Sequence, residues 1–386
     1  MYEDILKKNI DYISNMKCYR SYENELRDLV SVLNKNKIVT ISGLRHTGKT
    51  KLIYTLLKST QSFGISFYYN SEIDTLGSIK TDIEFIVLFD LYVRIHGVPK
   101  IIILQNTNNI DGIKNLISKF YATKKYKIIL VGNSIKVEGV SDISLYPLGM
   151  GENISTSLLG GIPEVRIAGD LHYKSFLLSA LRNDIISRDI LEAYNIKNIS
   201  LFYSVIGYIA MTSGYYSLRE IHRNLKSHDI DVSLITMIDY INAALNTKFL
   251  SKCERFDVKA NNSINSKVQY FFGDVGLRSS FSGDSVDLRE NLIYIELLRN
   301  GYEVSGGING KFIFEFYATK QENTLAIAID NSQDKLEIRK TARKLAKLGD
   351  SSDKYVIVEN KNSLTMRKFE ESGVKIIELG ELIEII

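Results

Sequence analysis

One segment, residues 38–57, restricts the fold of this chain more than any other. It begins with a continuous apolar run, Ile38–Ile41, and ends with a stretch of helical periodicity, Lys51–Leu57. Between them lies a loop that fits the pattern GxxxxGK[ST] and comprises Gly43, Leu44, Arg45, His46, Thr47, Gly48, Lys49 and Thr50. A buried strand, a glycine-bearing loop and a helix in this order predict an α/β fold with a parallel sheet.

The chemistry of this loop suits a nucleoside triphosphate. Consecutive backbone N–H groups at the start of a helix surround phosphate oxygens when glycines, here Gly43 and Gly48, let the loop curl. Lys49 is expected to neutralise the β- and γ-phosphate oxygens, and the Thr50 hydroxyl is expected to ligate Mg²⁺. The alternative is a glycine-bearing turn in an unrelated α/β fold. The flanking strand and helix favour a P-loop that binds ATP with magnesium.

The sequence around the loop alternates strands with helices. A helical pattern over Asn9–Asn34 precedes the first strand, and further apolar runs occur at Ile65–Tyr69, Ile101–Leu104 and Lys127–Val131. Such alternation is typical of a parallel sheet that is covered by helices. We therefore predict a P-loop NTPase domain over residues 1–155.

Two amide side chains, Gln105 and Asn106, follow the predicted strand Ile101–Leu104. At this point a P-loop ATPase usually carries an Asp that supports magnesium and often a catalytic Glu. An amide has no negative charge for a metal and cannot act as a general base near neutral pH. Slow hydrolysis is therefore predicted. After the next strand, Asn133 is either a sensor of the γ-phosphate or a simple turn residue.

The remaining chain divides into two further predicted domains. Residues 156–260 are mostly helical, and Ser217 and Ser233 are candidate N-caps of two helices that precede a β-wing at Phe249–Phe256. This arrangement predicts a helical lid and a winged helix. Residues 261–386 mix strands with helices and predict a separate α/β domain.

Several short motifs resemble those of one prokaryotic family. Gly160–Glu164 matches its GGxPE turn, Asp189–Ile196 its DIxxxYxI segment, Tyr270–Arg278 its YYFxDxGLR segment and Glu290–Tyr302 its ENxxxxELxRRGY segment. With the loop Gly43–Thr50, these motifs resemble the archaeal-type P-loop ATPases that are fused to a C-terminal PD-(D/E)xK nuclease-like domain. The resemblance implies an AAA+/STAND-like ATPase core, a winged-helix middle and a C-terminal α/β domain of restriction-endonuclease-like fold. The family usually carries Asp-Glu where this chain has Gln-Asn.

A nuclease centre of that kind needs carboxylates that hold magnesium and a lysine that helps to activate water. Glu296 and Glu315 are the candidate metal ligands, and Asp330 is a further carboxylate nearby in the sequence. The strand Ala326–Ile329 supplies neither the expected acidic residue nor the lysine. The domain is therefore predicted to be catalytically degenerate and to serve as a structural or binding module. The alternative is an ATP-dependent DNA-processing enzyme with a residual metal-dependent nuclease.

Charge and composition leave the partners open. The formal net charge of +4 is mildly basic, and a basic stripe over residues 339–347 is either a phosphate-contacting surface or a solvated helix face. No apolar run approaches the roughly 20 residues of a membrane span, so a cytoplasmic location without membrane contact is expected. The sequence thus predicts an ATP-binding switch whose partner is non-specific DNA or another protein. Its oligomeric state is left open.

Overall fold

The computed structural model describes residues 1–16, 21–74, 77–132, 140–150, 157–332, 334–361 and 373–386. The chain divides into two compact units, Met1–Leu145 and Tyr146–Ile386. The predicted division into three domains is not tested by this result and stays a prediction.

The first unit is a parallel sheet with helices on both faces. Its strands are β1 (Ile38–Ser42), β2 (Ser66–Asn70), β3 (Ile101–Gln105), β4 (Lys127–Val131) and β5 (Ser141–Ser144). Its helices are Tyr2–Ser14, Glu23–Lys35, Lys49–Ser59, Asp82–His96 and Ile113–Ala122. The strand order is β2-β3-β4-β1-β5, and every neighbouring pair is parallel. The predicted α/β fold with a parallel sheet is confirmed.

Side chains that alternate between the two sides of each strand form two apolar cores, one on each face of this sheet. In β3, Ile102 and Leu104 pack into one core, whereas Ile103 packs into the other. Successive side chains of a strand point to opposite faces. Because both faces are covered, β3 and β4 are apolar over most of their length, which is why they appear as continuous runs in the sequence.

The helices of the first unit differ from the predictions in two places. The pattern over Asn9–Asn34 corresponds to two helices, Tyr2–Ser14 and Glu23–Lys35, rather than one. The helix Asp82–His96 was not predicted, although Thr81 and Glu84 form a capping box at its start. Apolar residues occur all around this helix, so the sequence lacks the one-sided pattern that indicates a surface helix.

The second unit contains a seven-stranded mixed sheet. Its strands are β6 (Leu250–Asp257), β7 (Asn262–Phe272), β8 (Glu303–Asn309), β9 (Phe312–Lys320), β10 (Asn323–Asp330), β11 (Asp353–Val358) and β12 (Val374–Glu378). Its helices include Pro163–Ile167, Leu171–Asp184, Ile199–Met211, Leu218–Ser227, Leu234–Asn246, Val275–Ser282, Arg289–Arg299 and Lys335–Ala346. The strand order is β12-β11-β10-β9-β8-β6-β7.

The predicted β-wing belongs to this large sheet. Ser217 and Ser233 do cap their helices, since their side chains accept hydrogen bonds from the backbone N–H groups of Glu220 and Thr236. The hairpin β6-β7 follows these helices, but β6 also pairs in parallel with β8. The predicted boundary at residue 260 therefore lies in the turn of a hairpin within one sheet. The winged helix stays a prediction.

The C-terminal part runs in the order helix Arg289–Arg299, β8, β9, β10, helix Lys335–Ala346 and β11. The neighbours β8, β9 and β10 are antiparallel, and β11 pairs in parallel with β10. A restriction-endonuclease-like fold stays a prediction for this sheet. Among the helices that the structure describes, none has the length and apolar character needed to cross a membrane.

Candidate functional site

The loop Gly43–Thr50 lies at the carboxyl end of β1, where ligands of open parallel sheets usually bind. Gly43 and Gly48 have φ angles of +146° and +98°, values that favour glycine. A Cβ atom at Gly43 would lie 2.3 Å from the Leu145 carbonyl oxygen, and one at Gly48 would lie 2.1 Å from the Tyr22 hydroxyl. The tight curl of the loop thus requires both glycines.

Lys49 is buried at the start of helix Lys49–Ser59. Its Nζ donates hydrogen bonds to the carbonyl oxygens of Gly43 (2.7 Å) and Leu44 (2.8 Å). The ammonium group is therefore buried within the loop. The loop carbonyl oxygens are the acceptors for this charge. When a nucleotide binds, phosphate oxygens can replace them as acceptors.

The other side chains of the loop hold its shape. The Thr47 hydroxyl donates to the Leu44 carbonyl at 2.9 Å, and Leu44 is buried. Arg45 forms a two-pronged ion pair with Glu72, with distances of 2.6 and 3.0 Å. His46 has a φ of +67°, so it occupies the left-handed region within the turn. These contacts make Arg45 a link between the loop and the segment after β2.

Gln105 lies at the end of β3, beside Thr50. The Gln105 Nε2 atom is 2.8 Å from Thr50 Oγ1, and the Gln105 Oε1 atom accepts a hydrogen bond of 3.0 Å from the Tyr68 hydroxyl. Tyr68 comes from the adjacent strand β2. Burial raises the pKa of Tyr68 well above its usual value, so the phenol stays protonated and acts as the donor. The structure thus brings together two of the predicted site residues, Thr50 and Gln105.

Asn106 follows in the left-handed conformation, with a φ of +54°. Its N–H donates to the Val131 carbonyl at 2.9 Å, which ties the end of β3 to the end of β4. The Ser71 hydroxyl donates to the Asn106 carbonyl. Asn133 lies outside the described residues, so its predicted role as a sensor stays a prediction.

The residues present fit a phosphate chain better than they fit a metal ion. The curled loop and the Lys49 ammonium group are the features that anionic phosphates require. Magnesium prefers oxygen ligands that are supported by anionic charge, whereas Thr50 faces the N–H donor of an uncharged amide. No group of three or more His, Cys, Asp or Glu side chains within the described ranges has metal-binding geometry.

The second unit contains a separate carboxylate neighbourhood. Glu315, on β9, accepts a hydrogen bond of 2.8 Å from the Ile329 N–H. Burial, together with the nearby carboxylates of Glu290 and Asp330, raises the pKa of Glu315 to about 7. Burial also raises the pKa of Glu290, whose side chain accepts a hydrogen bond of 2.8 Å from Gln269. Glu290 and Asp330 are thus carboxylates that act on Glu315.

Glu296 has a different set of contacts, and its predicted role as a metal ligand with Glu315 stays a prediction. Its carboxylate accepts a hydrogen bond of 2.8 Å from the Met150 N–H and forms an ion pair of 3.2 Å with Arg299. Asn300 Nδ2 also lies 3.2 Å from the carboxylate. These contacts are those of a buried carboxylate that fixes a loop to the helix Arg289–Arg299.

The raised pKa of Glu315 predicts a pH-dependent loss of stability. An acid whose folded-state pKa is raised binds its proton more tightly when folded, so stability falls as the pH rises from about 4.5 through about 7. Glu315→Gln should therefore raise the unfolding free energy at pH 8 by about 1–2 kcal/mol, with little effect near pH 4. Urea unfolding at both pH values measures this difference. Glu322→Gln, at an exposed position, is the control, and equal effects of both variants would contradict the prediction.

Comparison with known proteins assigns most of the first unit to a domain family. Residues 35–152 match the family model described as "AAA domain", and residues 154–287 match "Domain of unknown function (DUF8612)". The AAA match covers the whole P-loop, Gln105 and the strands β1 to β5. This part of the chain is an AAA-type P-loop ATPase-like domain.

Two relatives extend over most of the chain. An uncharacterized protein of Haemophilus influenzae is 24% identical over 345 residues, which cover 80% of this chain and 86% of the relative. An uncharacterized protein of Methanocaldococcus jannaschii is 21% identical over 345 residues, which cover 78% and 74%.

Two solved structures show weaker similarity. A Walker-type ATPase of Pyrococcus abyssi has a TM-score of 0.49 at 14% identity, covering 68% of this chain and 95% of that one. The replication initiator DnaA bound to AMPPCP and single-stranded DNA has a TM-score of 0.29 at 12% identity, covering 63% and 92%.

Two residues of the first unit were missed by sequence reasoning. Tyr22, before helix Glu23–Lys35, donates a hydrogen bond of 3.1 Å to the Gly48 carbonyl. Tyr68 contacts Gln105, as described above. Tyr68 lies in the aromatic run Phe67-Tyr68-Tyr69 of a buried strand, and nothing in that run distinguishes it from a core residue. No sequence signal marked either tyrosine.

Proposed function

We propose that this protein is an ATP-binding switch that hydrolyses ATP slowly. The observation that carries the proposal is the position of Gln105, whose amide lies 2.8 Å from Thr50 of the P-loop. An ATPase needs a carboxylate in this region, both to support a metal and to order or deprotonate the attacking water. The match of residues 35–152 to the AAA domain supports nucleotide binding.

Binding and turnover depend on different groups. Binding relies on the curled loop, on Lys49 and on Thr50, all of which are present. Turnover also needs an anionic group close to the γ-phosphate, and the end of β3 offers only the amides of Gln105 and Asn106. We therefore expect the bound state to be long-lived, as a switch requires.

The second unit is the proposed receiver of the switch. Nucleotide occupancy would alter the behaviour of the helices and the seven-stranded sheet that follow the AAA-type domain. The proposed output is a binding module formed by the C-terminal sheet, with a protein or non-specific DNA as its partner.

Thermal stability with and without ATP tests the proposal. A ligand that binds only the folded state stabilises it, by about 2.7 kcal/mol at a hundred times the dissociation constant. We expect the melting temperature to rise progressively with ATP concentration and not with adenosine, which lacks phosphates. An unchanged melting temperature at millimolar ATP would remove the basis of the switch.

A residual nuclease is the second candidate function. It is favoured by the influence of the Glu290 and Asp330 carboxylates on the partly buried Glu315, because clustered carboxylates are the usual ligands of nuclease metals. A metal would have to draw these three side chains into a binding geometry that they do not have in the described structure. Magnesium-dependent cleavage of plasmid DNA that is lost in Glu315→Ala, but kept in Glu322→Ala, would establish it. An absence of cleavage by the wild-type protein would leave the sheet as a binding module.

The basic side chains on the helix Lys335–Ala346 lead to a prediction of how this protein would bind DNA. Lys340, Arg343, Lys344 and Lys347 are exposed on or just after this helix. Exposed basic side chains contact the phosphates of DNA, so DNA binding should be weak, independent of sequence and steeply dependent on salt.

An anisotropy titration with a labelled DNA duplex tests this prediction. The substitutions Arg343→Glu and Lys347→Glu together should weaken binding of the duplex by at least about tenfold. Lys311→Glu, in an exposed turn, is the control. A footprint on one specific sequence at physiological salt would contradict the prediction.

A further inference from the structure

The contacts around Gln105 fix which end of its amide faces the P-loop. Tyr68 is buried and donates its hydroxyl hydrogen to Gln105 Oε1 at 3.0 Å. An amide has its acceptor at one end and its two donors at the other. With the oxygen held by Tyr68, the nitrogen lies 2.8 Å from Thr50 Oγ1 and donates to it. The Thr50 hydroxyl can also donate to Gln105 Oε1, but that contact is longer, at 3.3 Å. Tyr68 is thus a positioning residue for the Gln105 amide.

This orientation is unfavourable for a cation at the Thr50 hydroxyl. One oxygen lone pair of Thr50 accepts the amide N–H, and the positive end of the amide dipole points toward the position of a metal ligated by this hydroxyl. A carboxylate in the place of Gln105 would have no N–H to donate, would only accept the hydroxyl hydrogen, and would add a negative charge. The hydroxyl oxygen would then be available to a metal.

We propose that this P-loop binds ATP with little contribution from a divalent cation, because Tyr68 holds the Gln105 amide with its N–H group on Thr50. The inference rests on the proposed binding of ATP. Phosphate charge is then neutralised mainly by the loop N–H groups and by Lys49, whose Nζ already lies 2.7 Å from the Gly43 carbonyl. A low demand for magnesium also agrees with slow hydrolysis, since the metal is a principal stabiliser of the transferred phosphoryl group.

Calorimetric titration of the full chain with ATP, once in Mg²⁺ and once in excess EDTA, tests the inference. The two dissociation constants of the wild-type protein should agree within about threefold, a difference below about 1 kcal/mol. Wild-type binding that is at least about tenfold tighter in Mg²⁺ would overturn the inference while leaving ATP binding intact. No binding in either medium would overturn both the inference and the proposed function.

Two variants identify the residues responsible. Gln105→Glu keeps the size of the side chain and changes only its charge, so its ATP affinity should become at least about tenfold tighter in Mg²⁺ than in EDTA. Tyr68→Phe lets the amide turn its oxygen toward Thr50. The ATP affinity of this variant in Mg²⁺, relative to that in EDTA, should exceed the wild-type ratio by about threefold, a smaller change than in Gln105→Glu. Asn108→Asp adds the same charge at an exposed position and should leave the ratio unchanged. Equal Mg²⁺ dependence in Gln105→Glu and Asn108→Asp would overturn the role of Gln105.

Discussion

Lys49→Ala is expected to weaken ATP binding by at least about a hundredfold. The Lys49 ammonium group lies 2.7 and 2.8 Å from two carbonyl oxygens of the P-loop, where a phosphate chain would replace them as acceptor. Each charge-assisted hydrogen bond contributes about 1.5–3 kcal/mol, so the loss of two accounts for the expected factor. Isothermal calorimetry with ATP measures the change.

The control for this experiment is Lys58→Ala. Lys58 lies in the same helix, Lys49–Ser59, but near its other end and exposed. It should bind ATP as the wild-type protein does. Because Lys49 is buried, its removal is also expected to lower stability, and circular dichroism must show that the variant is folded at the titration temperature. A folded Lys49→Ala protein with wild-type affinity would exclude the P-loop as the binding site.

The double substitution Gln105→Asp with Asn106→Glu is expected to raise ATP turnover by about 10²–10⁴, the usual contribution of a placed general base. It restores the acidic pair at the end of β3, beside the Thr50 hydroxyl. Asn106 has a φ of +54°, and Glu tolerates the left-handed region less well than Asn, which costs about 1 kcal/mol. Release of inorganic phosphate at saturating ATP and Mg²⁺ measures the turnover.

The matched control carries two new charges at exposed positions in the adjacent turn. Asn108→Asp with Asn109→Asp changes the net charge equally without placing a carboxylate at Thr50. Its turnover should equal that of the wild-type protein. If both double variants turn over ATP at the wild-type rate, the absence of carboxylates at the end of β3 is not the cause of slow hydrolysis.

The sequence was most informative where local chemistry and periodicity agree. The strand Lys127–Val131 has the predicted bounds, and the caps at Ser217 and Ser233 were predictable because a cap depends on its own turn. The position of Gln105 beside Thr50 was likewise predictable. Parallel strands end at the same edge of a sheet, so the loop after β1 and the end of β3 lie close together.

The contacts that the sequence did not indicate depend on tertiary packing. Glu290 and Glu296 lie in the same helix, Arg289–Arg299, and the sequence does not show which of them faces Glu315. The burial of Lys49 follows from its hydrogen bonds to the loop carbonyls, which composition cannot reveal. Tyr68 lies among the apolar residues of β2, and its polar contact depends on the register between β2 and β3.

The central claim, that this protein binds ATP but converts it slowly, is tested most directly by measuring both quantities on one wild-type preparation. Calorimetry should show saturable binding of one ATP per chain with a dissociation constant below about 1 mM. Phosphate release from the same sample should be slower than about 1 per second, below the ordinary range of enzymes. Saturable binding with turnover at about 1–10³ per second would contradict the account, and so would the absence of binding.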